Sequence, residues 1–288
     1  MSARALLERM RRGEAVIVPG VHDALTAKLA ERAGFSAVFV SGYGLSASLL
    51  GEPDLGFVEM GRVLDAAERV VSATSLPVFV DADTGYGDAF HVERVVEALI
   101  ARGAAGCFLE DQEWPKRCGH MERKSVIEAE RFLPKLRAAV AARGARDFAI
   151  TARTDARAVH GLDEAIRRAK LYAEAGADLV FVEAPQSALE MRAIREAVPE
   201  EVVLVANMVE GGKTPMRPAK ELAEDGYGFV LFPVSGLLSA VRAMERTFEV
   251  LAREGTTAGA AETMRTFAEL NEITGLPEFY AREKAWLR

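Results

Sequence analysis

EAGADLVFVE, residues 174–183, decides the fold. A helical stretch ends at Gly176, and an apolar strand begins within about four residues. The same arrangement recurs as ERAGFSAVFV (31–40), ARGAAGCFLE (101–110) and EDGYGFVLF (224–232). Gly34, Gly103, Gly176 and Gly226 stand at the turns, where glycine accepts the left-handed conformation that closes a helix. Working outward, short apolar runs predict eight strands, approximately Ala15–Val18, Ala37–Val40, Val78–Ala82, Gly106–Leu109, Phe148–Ala152, Leu179–Val182, Val202–Ala206 and Phe229–Phe232. Amphipathic stretches such as Asp88–Arg102, Leu162–Ala175 and Leu189–Ala197 lie between them. Strand alternating with helix means parallel pairing, and runs apolar throughout suit strands buried on both faces. Eight such units in about 250 residues are a (β/α)8 barrel. A doubly wound open sheet is the runner-up, weakened because no G-x-G-x-x-G follows the first strand.

The 288 residues, half of them hydrophobic, suit a single domain spanning 1–288. A helical tail, 256–288, runs through AETMRTFAELNEI to an aromatic-rich end. It reads either as a cap or as a helix packed on another subunit. The formal charge of -7 and the scattered basic residues argue against a nucleic-acid partner. No apolar run reaches the roughly 18 residues that span a bilayer, so no membrane partner is expected. The N-terminus shows no signal-peptide pattern, and two cysteines make no disulfide framework, so the expected location is the cytoplasm.

In such barrels chemistry sits at the C-terminal ends of the strands. There the sequence places Ser41–Gly44 and then Asp54 after strand two, and Asp81 and Asp83 of DADTGYG at strand three. Glu110 and Asp111 end strand four, Arg153 strand five, Glu183 strand six and Asn207 strand seven. Asp81 and Asp83 alternate along a strand and are expected to point the same way. With Asp54 and Glu110 they form an acidic cluster that would repel itself without a cation. Mg2+ suits it, since that ion needs few direct ligands, and Mn2+ is the alternative. The plainer reading is that single members, Asp83 above all, cap helices or pair with arginine.

In KRCGH, Lys116, Arg117 and His120 flank Cys118, and their charge is expected to lower the thiol pKa into a usable acid–base range. Cys107, in an apolar strand, reads as an ordinary buried cysteine. His22, His91 and His160 lack such a context. EGGKTP, residues 210–215, offers amides, Lys213 and Thr214 to a carboxylate or phosphate, and reads equally well as a tight turn. The segment Trp114–Lys124, with Gly119 within it, is expected to close over the site as a lid.

Together DADTGYG, EDQ, KRCGH, ARTDA, VEAP and NMVEGGKTP resemble, in order, the isocitrate lyase and phosphoenolpyruvate mutase superfamily, from about Gly20 to Gly275. The resemblance implies a (β/α)8 barrel, bound Mg2+, and a homotetramer built from dimers that exchange the last barrel helix. CGH separates lyases, which use its cysteine as acid–base residue, from mutases, which lack it. SGYG and NMVEGGKTP look most like the 2,3-dimethylmalate lyase and petal-death-protein branch, with 2-methylisocitrate lyases next. The latter carry a tyrosine, a proposed base, where this chain has Phe39, and Tyr43 is the residue expected to take over part of that work. The implied reaction is carbon–carbon cleavage of a branched 2-hydroxy dicarboxylate to an α-keto acid such as pyruvate. Oxaloacetate hydrolysis or decarboxylation, the two mutase reactions on phosphoenolpyruvate and its carboxyphosphono analogue, and a non-catalytic scaffold are the alternatives. On this resemblance Asp81 binds the metal directly, and Asp54, Asp83 and Glu110 act through its waters. Ser41, Gly42, Tyr43, Gly119, His120, Arg153, Asn207 and Thr214 bind substrate, Glu183 orients its neighbours, and Cys118 is the acid.

Overall fold

A computed structural model describes residues 1–287. Eight parallel strands close into a barrel in simple sequence order, as expected. They are β1 (Val16–Val21), β2 (Val38–Val40), β3 (Val78–Asp81), β4 (Gly106–Glu110), β5 (Ala149–Thr154), β6 (Leu179–Val182), β7 (Val203–Asn207) and β8 (Tyr227–Phe232). β8 closes onto β1 with Val16 opposite Phe229 and Pro19 opposite Phe232. The predicted helices lie at Ala89–Ala101, Leu162–Glu174 and Ala188–Ala197. Gly34, Gly103, Gly176 and Gly226 all have φ between +80° and +98°, the conformation the repeated turn demands. His91 closes a capping box with Asp88 at the head of the helix Ala89–Ala101.

Two apolar layers hold the barrel. The outer one joins strands to helices, through residues such as Val80, Val95, Leu136 and Tyr172. The inner one fills the bore with Phe39, Phe79, Phe108, Phe181 and Phe229. Their rings meet edge to face, Phe39 on Phe108 at 4.8 Å and Phe79 on Phe229 at 5.1 Å between centroids. At the N-terminal end Leu6, Leu7 and Met10 of the first helix (Ala3–Arg11) join the same layer. Met10 approaches β8 so closely that a Cβ at Gly228 would lie 2.7 Å from its own.

One expectation fails at a strand. Ile17, in β1, faces outward and stays exposed, so this strand is not covered on both sides. The long helix after β8, Ser235–Glu254, buries only Val250 and presents Leu238, Val241, Met244, Phe248 and Leu251 to solvent. The tail folds as two further helices, Phe267–Thr274 and Leu276–Trp286.

Phe79→Ala should test the aromatic bore. Phe79 is fully buried against Phe229, and its loss should destabilise the chain by about 3–5 kcal/mol. A urea unfolding midpoint that does not move would refute this account of the core.

Candidate active site

At the C-terminal mouth a cavity of about 280 Å3 opens above the aromatic bore. Phe39, Phe108, Phe181 and Leu231 form its floor. Its walls bring together Ser41, Tyr43, Asp54, Asp81, Glu110, Cys118, Gly119, His120, Arg153, Glu183 and Asn207. Residues up to 166 positions apart in sequence thus share one small polar chamber, each set at a strand end or in the loop that follows. Gly42 stands just behind the wall. A Cβ there would meet the Asp81 carboxylate at 2.8 Å, so only glycine lets the acid take its place. Thr214 is buried with its hydroxyl unpaired and does not face the cavity, contrary to the expectation for it.

The acidic cluster forms, but not by strand alternation. β3 ends at Asp81, and Asp83 lies beyond it in the left-handed region (φ +48°). Asp83 is brought back to the cluster by Lys116, whose ammonium lies 2.6 and 2.7 Å from the two Asp54 oxygens and 2.7 Å from Asp83 Oδ1. Lys116 is therefore an internal counter-ion for two of the acids, not a charge beside the thiol. Burial pushes the Asp83 carboxyl up to about 7 against the pull of Lys116, and Asp81 and Asp54 add to the rise. Burial likewise raises Glu110, whose Oε1 has no partner.

Among the described residues no three His, Cys, Asp or Glu side chains converge as a metal cage. Mg2+ does not require one, since it keeps most of its waters and takes one or two carboxylates. Asp81 and the orphaned Glu110 Oε1 supply oxygens that Lys116 does not neutralise, so the residues fit such an ion.

Opposite the acids, Arg153 is held by carboxylates on several sides. Its Nε donates to Asp155 Oδ2 at 2.9 Å, Nη2 lies 3.1 Å from Glu183 Oε2, and Nη1 lies 3.3 Å from Glu110 Oε2. Burial works to raise the Glu183 pKa, but Arg153, and then His120, outweigh it and hold this carboxylate ionised well below its usual range. His120 Nδ1 accepts the Lys213 amide at 2.9 Å, which places the neutral ring's proton on Nε2, facing Glu183 Oε1 at 3.4 Å. Asn207 Nδ2 reaches the same carboxylate at 3.4 Å.

Cys118 departs from expectation. Burial pushes its thiol up to about 11; a backbone bond from His120 opposes this, while Asp54 and Glu183 reinforce it. The thiol is thus protonated at neutrality, suited to give a proton rather than to take one. Of the two readings of EGGKTP, the turn forms, with Gly212 N donating to the Val209 carbonyl at 2.9 Å. Its Lys213 amide is bound to His120, and its ammonium pairs with Glu122 at 2.7 Å. Through these two Lys213 contacts the loop braces the CGH loop.

Asp111 turns away from the cavity, accepting from Arg168 at 2.9 Å and Tyr172 at 2.8 Å. Asp155 and Lys124, which carry much of the site's charge balance, were not singled out in the sequence. The alternation of Arg153 and Asp155 within ARTDA is the signal that would have found the first.

The chain matches the family model described as phosphoenolpyruvate phosphomutase over residues 6–252. It is 45% identical to the petal death protein of Dianthus caryophyllus over 269 residues, 93% of this chain and 84% of that one. It is 43% identical to 2,3-dimethylmalate lyase of Eubacterium barkeri over 275 residues, 96% and 94% of the two chains. It is 42% identical to 2-methylisocitrate lyase of Halalkalibacterium halodurans over 287 residues, 98% and 94%. A crystal structure of 2,3-dimethylmalate lyase superposes with a TM-score of 0.92 at 34% identity, covering 98% of this chain and 94% of that one. Phosphonopyruvate hydrolase in complex with oxalate and Mg++ superposes with a TM-score of 0.89 at 31% identity, covering all of both chains. With its barrel and these relatives in agreement, the chain belongs to the phosphoenolpyruvate phosphomutase family, within the superfamily that joins these mutases to the isocitrate lyases.

Proposed function

We propose that this carbon–carbon lyase cleaves a branched 2-hydroxy dicarboxylate, a 2-alkylmalate, 2,3-dimethylmalate or 2-methylisocitrate, into an α-keto acid such as pyruvate and a second carboxylate. The observation that carries the reading is the Cys118 thiol facing the same small cavity as Arg153 and the acidic cluster. A cavity of about 280 Å3 suits a ligand of this size.

Mg2+, taken by Asp81 directly and by Asp54, Asp83 and Glu110 through water, would supply Lewis-acid polarisation of the 2-oxygen. Tyr43, which like Asp81 lines the cavity, is assigned the 2-hydroxyl proton, which its phenolate form takes up and afterwards returns to solvent. As that proton leaves, the C2–O bond becomes a carbonyl and the C2–C3 bond breaks. Its electron pair passes into the departing carboxylate as an aci-dianion. Arg153, the His120 Nε2–H and the Gly119 and His120 amides hold that group and offset its growing charge. Cys118 Sγ–H then delivers its proton to C3, and the thiolate regains one from water. Ser41 and Asn207 fix the remaining substrate oxygens, while Glu183 keeps Arg153 and His120 in register.

The exposed stripe on Ser235–Glu254 and the uncovered face of β1 support an assembly in which copies of this chain exchange that helix. A homotetramer of two such dimers is the proposed state.

The decisive assay is keto-acid release with Mg2+ from 2-methylisocitrate, 2,3-dimethylmalate, 2-ethylmalate and oxaloacetate. Turnover of a branched malate, abolished by EDTA and lowered at least about 100-fold in Cys118→Ala, is expected; consumption of oxaloacetate alone would replace the lyase reading with a hydrolase. Because the acid's pKa is raised, its protonated form persists as pH rises and is lost only near pH 11. The kcat profile should therefore show no thiol-dependent fall below about pH 9.5, where an unshifted cysteine would already have ionised. For the assembly, light scattering on Met244→Asp/Phe248→Asp should give a smaller species than the parent; an unchanged mass would refute the helix interface.

A further inference from the structure

The loop that carries Cys118 is fastened at both ends by buried lysines. Lys116 is the first, between Asp54 and Asp83. The second is Lys124, six residues beyond the thiol. Its neighbours Glu122, Arg123 and Ser125 are exposed, yet the Lys124 side chain is 1% exposed. Arg123 adopts the left-handed region (φ +60°), which a non-glycine residue takes up only when its surroundings hold it there. Beyond that turn the Lys124 ammonium donates to Asp155 Oδ1 at 2.6 Å and to the carbonyl of Gly119, the residue next to Cys118.

Asp155 is itself buried and bonded to several partners. Its side chain is fully buried, its carboxylate also takes Arg153 Nε at 2.9 Å, and its amide donates to Asp111 Oδ1 at 3.0 Å. Asp111 in turn is pinned by Arg168 and Tyr172 in the barrel wall. The loop is thus joined through one ammonium to the same carboxylate that orients Arg153.

We propose that Lys124 is a positioning residue: its pairing with Asp155 and with the Gly119 carbonyl holds the thiol loop shut and sets Cys118 over the departing carbon. The Lys124–Asp155 pair is then the contact that breaks when the loop lifts to admit substrate. Charge neutralisation and loop closure are one event, since an open loop leaves Asp155 to Arg153 alone. The catalytic consequence rests on the lyase reading; the tether itself does not.

The chain supplies its own internal control. Cys107 is fully buried in β4, so a thiol reagent should reach Cys118 in the folded protein and Cys107 only on general unfolding. Iodoacetamide alkylation, with the modified cysteine located by peptide mass, reads loop opening without any substrate. Lys124→Gln keeps a hydrogen-bond donor and removes the charge; Lys124→Met removes both; Lys124→Arg restores the cation. Alkylation of Cys118 should quicken about tenfold or more in Lys124→Gln and Lys124→Met. Cys107 should stay unmodified, and Lys124→Arg should return the rate to within about threefold of the parent. On the substrate that the panel identifies, kcat should fall with the same ranking. Unchanged Cys118 labelling in Lys124→Gln, or labelling of both cysteines together, overturns the proposal. Faster labelling of Cys118 alone supports the tether even if no branched malate turns over, which would sink the lyase reading instead.

Discussion

The site depends on one buried guanidinium. Arg153 satisfies carboxylates from three directions, Glu110 at the end of β4, Asp155 beyond β5 and Glu183 beyond β6. Three buried acids with no such partner would take up protons or stay apart. With it, Glu183 remains ionised, which lets it take the His120 Nε2–H and the Asn207 amide. Lys116 plays the corresponding part for Asp54 and Asp83. The chamber is therefore divided into two halves, each gathered around one buried cation. Asp81, whose Oδ1 accepts the Asp83 amide at 3.1 Å, and one Glu110 oxygen are left without an ion pair, where a hard cation fits.

The fold was legible because the repeated glycine turn and the apolar runs are local signals. A helix end needs a left-handed residue, and a strand buried in a barrel needs an unbroken apolar run. The rim was legible for the same reason, since a polar residue that ends such a run must lie at the mouth. Partnership between distant residues was not legible. Lys116 sits two places from Cys118, and proximity in sequence suggested a lowered thiol pKa. In space its charge is spent on Asp54, 62 positions away, and burial moves the thiol the other way. Lys213 likewise looked like a free cation beside glycine amides, but Glu122 and His120 take its donors. Asp111 and Asp155 both followed strands at the rim, and only the twist of the chain shows that one turns outward and the other into the charge network.

Phe39 illustrates how a single position sets the character of the floor. It packs on Phe108 at 4.8 Å and offers the cavity a ring without a hydroxyl. The groups able to exchange a proton, Tyr43, His120 and Cys118 among them, stand on the walls and not on the floor. The cavity thus has an apolar base and charge at its sides.

The aromatic bore has a consequence for traffic. Its rings are interlocked below the cavity, and the helix Ala3–Arg11 stoppers the far end. Whatever is made in the chamber must leave by the mouth through which the substrate came, past the Cys118 loop. The plug that stabilises the barrel thus also leaves the chamber a single doorway, so that entry and departure compete for the same opening.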